Sequence, residues 1–223
     1  MRKIINLFAF IHKNGIQAFI KELYFRLIDN YYERYFDVFT KGYISTEDLE
    51  INHHESVYYV PTHYRHIINM LNKLPVDKTN STLVDYGCGK GRVIIAAASN
   101  RYKKIIGVEL SPIINIAKSN IRKMRYRNTE NIELIQCNAI DFNVPSDVNI
   151  IFFYNPFRGS ILESVVKNIH SSYKANPRKL YIIYLNNYHF DEIITHQDWL
   201  TKINHSEIHL HISCGIYETN PSQ

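Results

Sequence analysis

Two textures of hydrophobic patterning divide the chain. Over residues 1–56 apolar positions recur at helical spacing, with Ile4, Phe8 and Ile11 followed by Phe19, Leu23 and Leu27. Steps of three and four place side chains on one helix face, so one or two amphipathic helices are expected there. A polar segment from Thr40 to Ser56 is expected to loop into the next element. From about residue 57 short apolar runs alternate with helical stretches. The runs Thr82 to Tyr86, Lys104 to Glu109, Ile132 to Cys137, Asn149 to Tyr154 and Leu180 to Leu185 are β-branched or aromatic, as strands buried on both faces should be. Helical spacing marks His63 to Leu74, Gly91 to Ser99, Ile113 to Arg125 and Ile161 to Tyr173. Such alternation predicts βαβ units and a mostly parallel sheet, hence an α/β domain. Residues 206–218 alternate in a way that suits one or two final strands.

Composition narrows the picture modestly. At 223 residues and 45% apolar content, the chain can bury the core of one α/β domain plus an extension, and is too short for two full domains. The formal charge of +5 is compatible with a nucleic-acid or acidic partner without requiring one. Three cysteines, Cys88, Cys137 and Cys214, are scattered with no Cys-x-x-Cys spacing, which suggests neither a disulfide framework nor a zinc site. Arg2 and Lys3 ahead of Ile4 to Ile11 mimic a secretory signal. His12, Lys13 and Asn14 cut that run short, no small-residue cleavage site follows, and no run reaches the roughly 18 apolar residues of a spanning helix. A cytoplasmic location is the expectation.

The chemistry concentrates at Leu83-Val84-Asp85-Tyr86-Gly87-Cys88-Gly89-Lys90-Gly91-Arg92, a glycine loop between an expected strand and an expected helix. Glycines let the backbone turn tightly and approach a ligand with no Cβ in the way, and amides opening the helix face that ligand. Arg92 stands where a dinucleotide-binding loop, Gly-x-Gly-x-x-Gly, carries its last glycine. The loop therefore favours a nucleoside ligand without a pyrophosphate. Glu109 closes Ile105-Ile106-Gly107-Val108-Glu109 about 20 positions further on, where an acidic side chain accepts from ribose hydroxyls. The alternative is a helix-opening turn with a surface glutamate.

Asp85 to Arg92 followed by Gly107-Val108-Glu109 resembles the first two motifs of class I S-adenosylmethionine-dependent methyltransferases, over roughly residues 57–186. The resemblance implies a Rossmann-like, mostly parallel sheet of about seven strands flanked by helices. Residues 1–56 would then be an N-terminal helical cap and residues 57–223 the methyltransferase domain. It also implies that Gly87, Cys88, Gly89 and Gly91 hold the amino-acid moiety, that Asp85 lies near the cationic part of S-adenosylmethionine, and that Glu109 holds the ribose. After the third expected strand the family commonly places an acidic residue and a small one for adenine. Here Asn138 and Ala139 stand there, and the Asn138 carbonyl can accept from the adenine amino group. Asp141 is a possible substitute, or a helix cap.

The fourth expected strand runs into Phe153-Tyr154-Asn155-Pro156-Phe157, similar to the Asn-Pro-Pro-Tyr/Phe motif of methyltransferases acting on amino nitrogens, with one proline missing. By that similarity the Asn155 oxygen and a backbone carbonyl accept hydrogens from the target amine, and Phe157 packs on the target group. The alternative is a strand ended by an Asn-Pro turn. Upstream, Tyr59 or Thr62 of Val57-Tyr58-Tyr59-Val60-Pro61-Thr62 is placed to line the pocket or merely to pack.

Other features are weaker. Arg122, Lys123, Arg125 and Arg127 suit the end of a helix dipole or an anionic substrate. His209 and His211 would share a strand face without an evident third metal ligand, and His53-His54 reads as a loop pair. No metal is expected. The basic, aromatic N-terminal segment fits a membrane or RNA surface, or more simply packing over the mouth of the site. The expected partner is a methyl acceptor: a protein amine first, then a nucleic-acid base, then a small molecule. A non-catalytic S-adenosylmethionine-binding module and a nicotinamide-dependent oxidoreductase are the rival readings.

Overall fold

Seven strands form one sheet in the order β3-β2-β1-β4-β5-β7-β6 in the computed structural model. It describes residues 2–49, 57–195, 197–208 and 212–220, with side chains from Phe10 onward. The strands β1 (Thr82–Tyr86), β2 (Lys104–Glu109), β3 (Ile132–Gln136), β4 (Val148–Tyr154) and β5 (Tyr181–Leu185) pair in parallel. The hairpin of β6 (Leu200–Glu207) and β7 (Ser213–Thr219) closes the far edge, β7 running antiparallel to both β5 and β6. This hairpin starts earlier than the expected alternation at residues 206–218.

Every residue of β1 and β5 is buried, because helices cover both sheet faces. Successive side chains divide between two cores. Leu83, Ile105, Ile150 and Ile183 point to the side of α2 (Tyr64–Lys73), α3 (Arg92–Ala98) and α4 (Ile114–Lys123). Val84, Ile106, Ile151 and Ile182 point to the side of α5 (Gly159–Ala175) and α6 (Tyr188–Ile194). The short α6 has no counterpart in the sequence-based expectation.

The N-terminal α1 (Arg2–Phe36) bends at Gly15, whose backbone leaves helical geometry at φ 82°. Its buried face differs from the expected one. Leu23 and Leu27, members of the periodic set, are exposed, while Phe25, Asp29, Glu33 and Phe36 face inward; the side chains of Ile4 and Phe8 lie outside the described residues. Aromatic packing alone does not explain this choice, since it brings two carboxylates inside. What fixes it is Arg92, at the start of α3. Its guanidinium donates to Thr40 Oγ1 (2.6 Å), Asp29 Oδ2 (3.2 Å), the Thr62 carbonyl (2.8 Å) and Glu33 Oε1 (3.3 Å), and lies over the Tyr64 ring. Glu33 in turn accepts from the Thr40 amide and hydroxyl. A buried charge is tolerable only when paired and hydrogen-bonded, and every charge in this cluster is.

His63 extends the cluster, its ring nitrogens meeting Asp29 Oδ2 at 2.7 Å and Glu22 Oε2 at 3.3 Å. Burial pushes His63 down, but the two carboxylates overcome it and hold the imidazole up at about 9. The hydrogen bond from His63, aided by Arg26 and opposed by burial, holds Glu22 down at about 2. A raised histidine stabilises the fold fully below its ordinary value of 6.5, and that contribution is lost as pH rises through about 9. The depressed Glu22 contributes above 4.5 and is lost as pH falls through about 2. The melting temperature of wild type is therefore expected to fall more steeply between pH 6.5 and 9 than that of His63→Gln. Parallel melting curves of the two proteins across that window would contradict the assignment.

Candidate active site

Chain order reverses on either side of β1, with β2 on one flank and β4 on the other. Open α/β sheets bind ligands at such a switch point, outside the carboxyl ends of the strands. A cleft opens there, about 990 Å³ with the open space at its mouth included. Asp85 from β1, Glu109 from β2, Asn138 and Ala139 after β3, and Asn155 to Phe157 after β4 all line it, together with Gly87 and Cys88. Residues scattered over some 70 positions of sequence thus meet because each ends a neighbouring parallel strand.

The glycine loop is stitched to β2. The amides of Gly87 and Cys88 both donate to the Val108 carbonyl, at 2.9 and 3.0 Å. Gly89 N donates to Glu109 Oε2 (2.9 Å), while the Ser111 amide and hydroxyl hold Oε1 at 3.0 Å each. A carboxylate offers about four lone-pair sites, so three donors orient Glu109 and leave acceptor capacity toward the cleft. Two of the glycines are required by contact as well as by their positive φ. A Cβ on Gly87 (φ +69°) would run into Pro156, and one on Gly89 (φ +53°) into the Tyr59 ring. Gly89 and Gly91 do not themselves line the cleft; they shape the loop behind it.

Asp85 is buried and its Oδ2 has no hydrogen-bond partner among the described residues. Burial, and then the neighbouring Glu109 charge, push its carboxyl well above the ordinary value of 3.8. Such a group accepts a proton or a cation at little further cost, and the amino group of an amino acid supplies one. Asn138 is oriented by accepting from Ile140 N (3.3 Å), capping the 3-10 turn Ala139–Asp141. Asp141 is exposed and does not line the cleft, and the cap role is Asn138's.

Asn155 sits immediately after β4 at φ +40°, a left-handed conformation that asparagine adopts more readily than most residues. Its Oδ1 is buried without a hydrogen-bond partner among the described residues. Phe157 is buried beside it, edge-on to Tyr86 and Phe153. The Pro156 carbonyl receives the Val57 amide at 3.3 Å, which leaves its second lone pair free to accept.

Val57 begins a strap that sequence reasoning left between packing and lining. Residues 57–62 all line the cleft. Tyr59 exchanges backbone hydrogen bonds with Ile44, and its hydroxyl donates to the Thr40 carbonyl at 2.6 Å. Burial pushes its phenol above the ordinary value of 10.0, so it stays neutral. Sequence reasoning missed the Arg92 cluster. The available signal was Asp29 and Glu33, two carboxylates one turn apart between Phe25 and Phe36, which calls for a buried cation.

Around the site the weaker features resolve simply. Arg127 donates to the Ile121 carbonyl in the last turn of α4 (3.2 Å) and pairs with Glu130, and Arg125 pairs with Asp37. The three cysteines are free. Among the described residues no group of His, Cys, Asp or Glu is placed to hold a metal ion; His53, His54, His209 and His211 lie outside them. No helix among the described residues is long and apolar enough to cross a membrane.

Fold and site together define a nucleoside-binding domain of the class I S-adenosylmethionine-dependent methyltransferase type. A family model described as a methyltransferase domain matches residues 77–206, and the chain belongs to that family. Among curated proteins it is similar to a candidate protein N5-glutamine methyltransferase of Methanocaldococcus jannaschii, 32% identical over 89 residues, or 40% of this chain and 43% of that one. It is also similar to ribosomal protein L11 methyltransferase of Clostridium botulinum, 38% identical over 63 residues, or 28% of this chain and 19% of that one. The matches therefore span less than half the length of these relatives. A solved RNA methyltransferase of Salinibacter ruber, in complex with S-adenosyl-L-homocysteine, superposes with a TM-score of 0.52 at 18% identity, covering 74% of this chain and 95% of that one. An S-adenosylmethionine-dependent methyltransferase of Aquifex aeolicus gives 0.56 at 12% identity, covering 69% and 89%. At these identities the likeness is one of fold.

The cofactor of this class is S-adenosylmethionine, and the residues present fit it. The orphaned Asp85 oxygen suits its ammonium group, and the oriented Glu109 carboxylate suits its ribose. The nicotinamide alternative loses its footing, because the place of a third glycine is filled by the buried Arg92. The sheet also inserts an antiparallel β7 between β5 and β6, unlike the dinucleotide-binding order 3-2-1-4-5-6.

Proposed function

We propose that the protein transfers a methyl group from S-adenosylmethionine to an amino nitrogen. The observation that carries the reading is the Asn155 side-chain oxygen, buried in the wall of the cleft with no donor to it among the described residues. Buried acceptors without partners are uncommon and costly, about 1–3 kcal/mol, and backbone outliers cluster at functional sites. An N–H of the methyl acceptor would donate to this oxygen.

Asp85, Gly87 and Cys88 hold the amino-acid end of the cofactor, on a loop whose shape Gly89 and Gly91 set from behind, with Glu109 at the ribose and Asn138 and Ala139 at adenine. When bound, the cofactor supplies an electrophilic methyl on a sulfonium, already a good leaving group. The chain supplies position. Asn155 and the free lone pair of the Pro156 carbonyl accept hydrogens from the acceptor, turning its lone pair toward the methyl, and Phe157 packs on the acceptor group. Positioning of this kind can contribute on the order of 7–11 kcal/mol.

A protein side chain is the first candidate acceptor, in keeping with what two of the relatives are named for. A nucleic-acid base comes next, as for the RNA methyltransferase of like fold, and then a small molecule. Acceptor choice goes to the strap and to the N-terminal segment, whose Thr40 and Ile44 hold Tyr59. A cytoplasmic setting goes with the three free cysteines. The test is incubation with methyl-labelled S-adenosylmethionine and fractionated extract. Label recovered as a methylated nitrogen supports the reading, and label recovered only on oxygen, sulfur or carbon contradicts it.

A further inference from the structure

The outward face of α1 is apolar. Beyond the bend at Gly15, Ile16, Ile20, Leu23, Leu27, Tyr31 and Tyr35 are all exposed, Ile20 and Leu27 at 59%. Their spacings of three and four make one continuous row, about 28 Å long at 1.5 Å per residue. At 100° per residue this row lies opposite the face formed by Phe25, Asp29, Tyr32 and Phe36, which packs on the domain. Tyr35 stacks on the exposed Tyr126 at 4.5 Å, so the apolar strip continues onto the loop after α4. Monomeric soluble proteins rarely expose apolar surface of this continuity.

The charges on this helix are sorted. Between residues 12 and 35 every exposed charged side chain is cationic: Lys13, Lys21, Arg26 and Arg34. Asp29 and Glu33 turn inward to His63 and Arg92, and Glu22 is shared between His63 and the exposed Arg26, which leaves Lys13, Lys21 and Arg34 as the outward cations that meet no acid of this helix among the described residues. Arg65 of α2 adds a further exposed cation, donating to the Tyr24 hydroxyl at 2.9 Å.

From this arrangement we infer that α1 is a docking face for an anionic lipid surface. An apolar row flanked by cations and cleared of acids is the design of a helix that lies in the plane of a bilayer interface, its aliphatic side chains in the acyl boundary. The tyrosines sit at headgroup level and the cations meet lipid phosphates. Charge complementarity selects this occupant. A second copy would bring like cations against Lys21 and Arg34, and a nucleic acid would leave Ile16, Ile20, Leu23 and Leu27 facing a charged backbone. The inference is independent of the acceptor and of the catalytic reading.

The test is flotation of the full chain with vesicles of phosphatidylcholine alone, or of equal parts phosphatidylcholine and phosphatidylglycerol. About tenfold more protein is expected to float with the anionic vesicles, and the excess is expected to shrink at high salt. The pair Leu23→Ser and Leu27→Ser changes only exposed positions and is expected to remove about tenfold of the binding while leaving S-adenosylmethionine affinity unchanged. Equal flotation with both vesicle types, or a serine variant that floats like wild type, would overturn the inference. So would a wild-type dimer that the two serines convert to monomer, which would assign the face to a second copy.

Discussion

Asn155→Gly is expected to lower turnover by about 10²–10³, the usual effect of removing one polar group that acts on the reacting atoms, with S-adenosylmethionine affinity close to wild type. Glycine is the informative replacement. The native backbone at this position has φ +40°, which alanine would occupy only at a strain of roughly 1–2 kcal/mol. A glycine removes the oxygen and keeps the turn. If Asn155 only ends β4, the variant will transfer methyl groups as fast as wild type, and the amine-orienting role is lost. Loss of turnover together with equal loss of cofactor affinity would instead move Asn155 into the cofactor's wall. Steady-state turnover and titration of the same preparation separate the three outcomes.

Arg92→Met is expected to destabilise the fold by about 3–5 kcal/mol, since it takes the paired cation from the buried Glu33 and leaves Asp29 with His63 alone. For a chain of this size that is a drop of roughly 6–20 °C in melting temperature. Removing the whole cluster is a different matter, because buried ion pairs are often replaceable as a unit. Arg92→Met combined with Asp29→Asn and Glu33→Gln is therefore expected to recover most of the loss. A single variant as stable as wild type would mean that the cluster does not hold α1 in place. The cluster joins α1, the strap at Thr62 and the start of α3, so the single variant should also disturb the cleft.

The parts of this architecture that were legible in sequence share one physical trait. β1 and β2 were readable to the residue, as Thr82–Tyr86 and Lys104–Glu109, because strands buried on both faces carry uninterrupted apolar runs. The glycine loop was readable because its steric demands admit so few residues. The sheet edge was not. β6 starts at Leu200, yet only Leu200 of its eight residues is buried, so the run Thr201-Lys202-Ile203-Asn204 has little apolar signature. The short α6 was equally silent, with Phe190 its one buried side chain.

The N-terminal helix shows a subtler failure. Leu23 and Leu27 have core-like spacing, but the residues that dock α1 include two acids whose partner lies some 60 positions away. Periodicity reports that a face is apolar, not what it meets. In this helix two opposite faces are apolar, and an ionic contact decides which one turns inward. At the site, strand ends brought the expected residues to one cleft, while the strap's hold on Gly89 through Tyr59 depends on a contact no local pattern encodes.

The central claim is that the cleft at the ends of β1, β2 and β4 is an S-adenosylmethionine site. Calorimetric titration of the purified protein with S-adenosylmethionine, beside NAD and a Glu109→Ala variant, tests it most directly. Saturable binding of S-adenosylmethionine, none of NAD, and a loss of roughly 1.5–3 kcal/mol in the variant, as expected for hydrogen bonds to a charged group, is the predicted result. Absence of S-adenosylmethionine binding, or an affinity indifferent to Glu109, would contradict it.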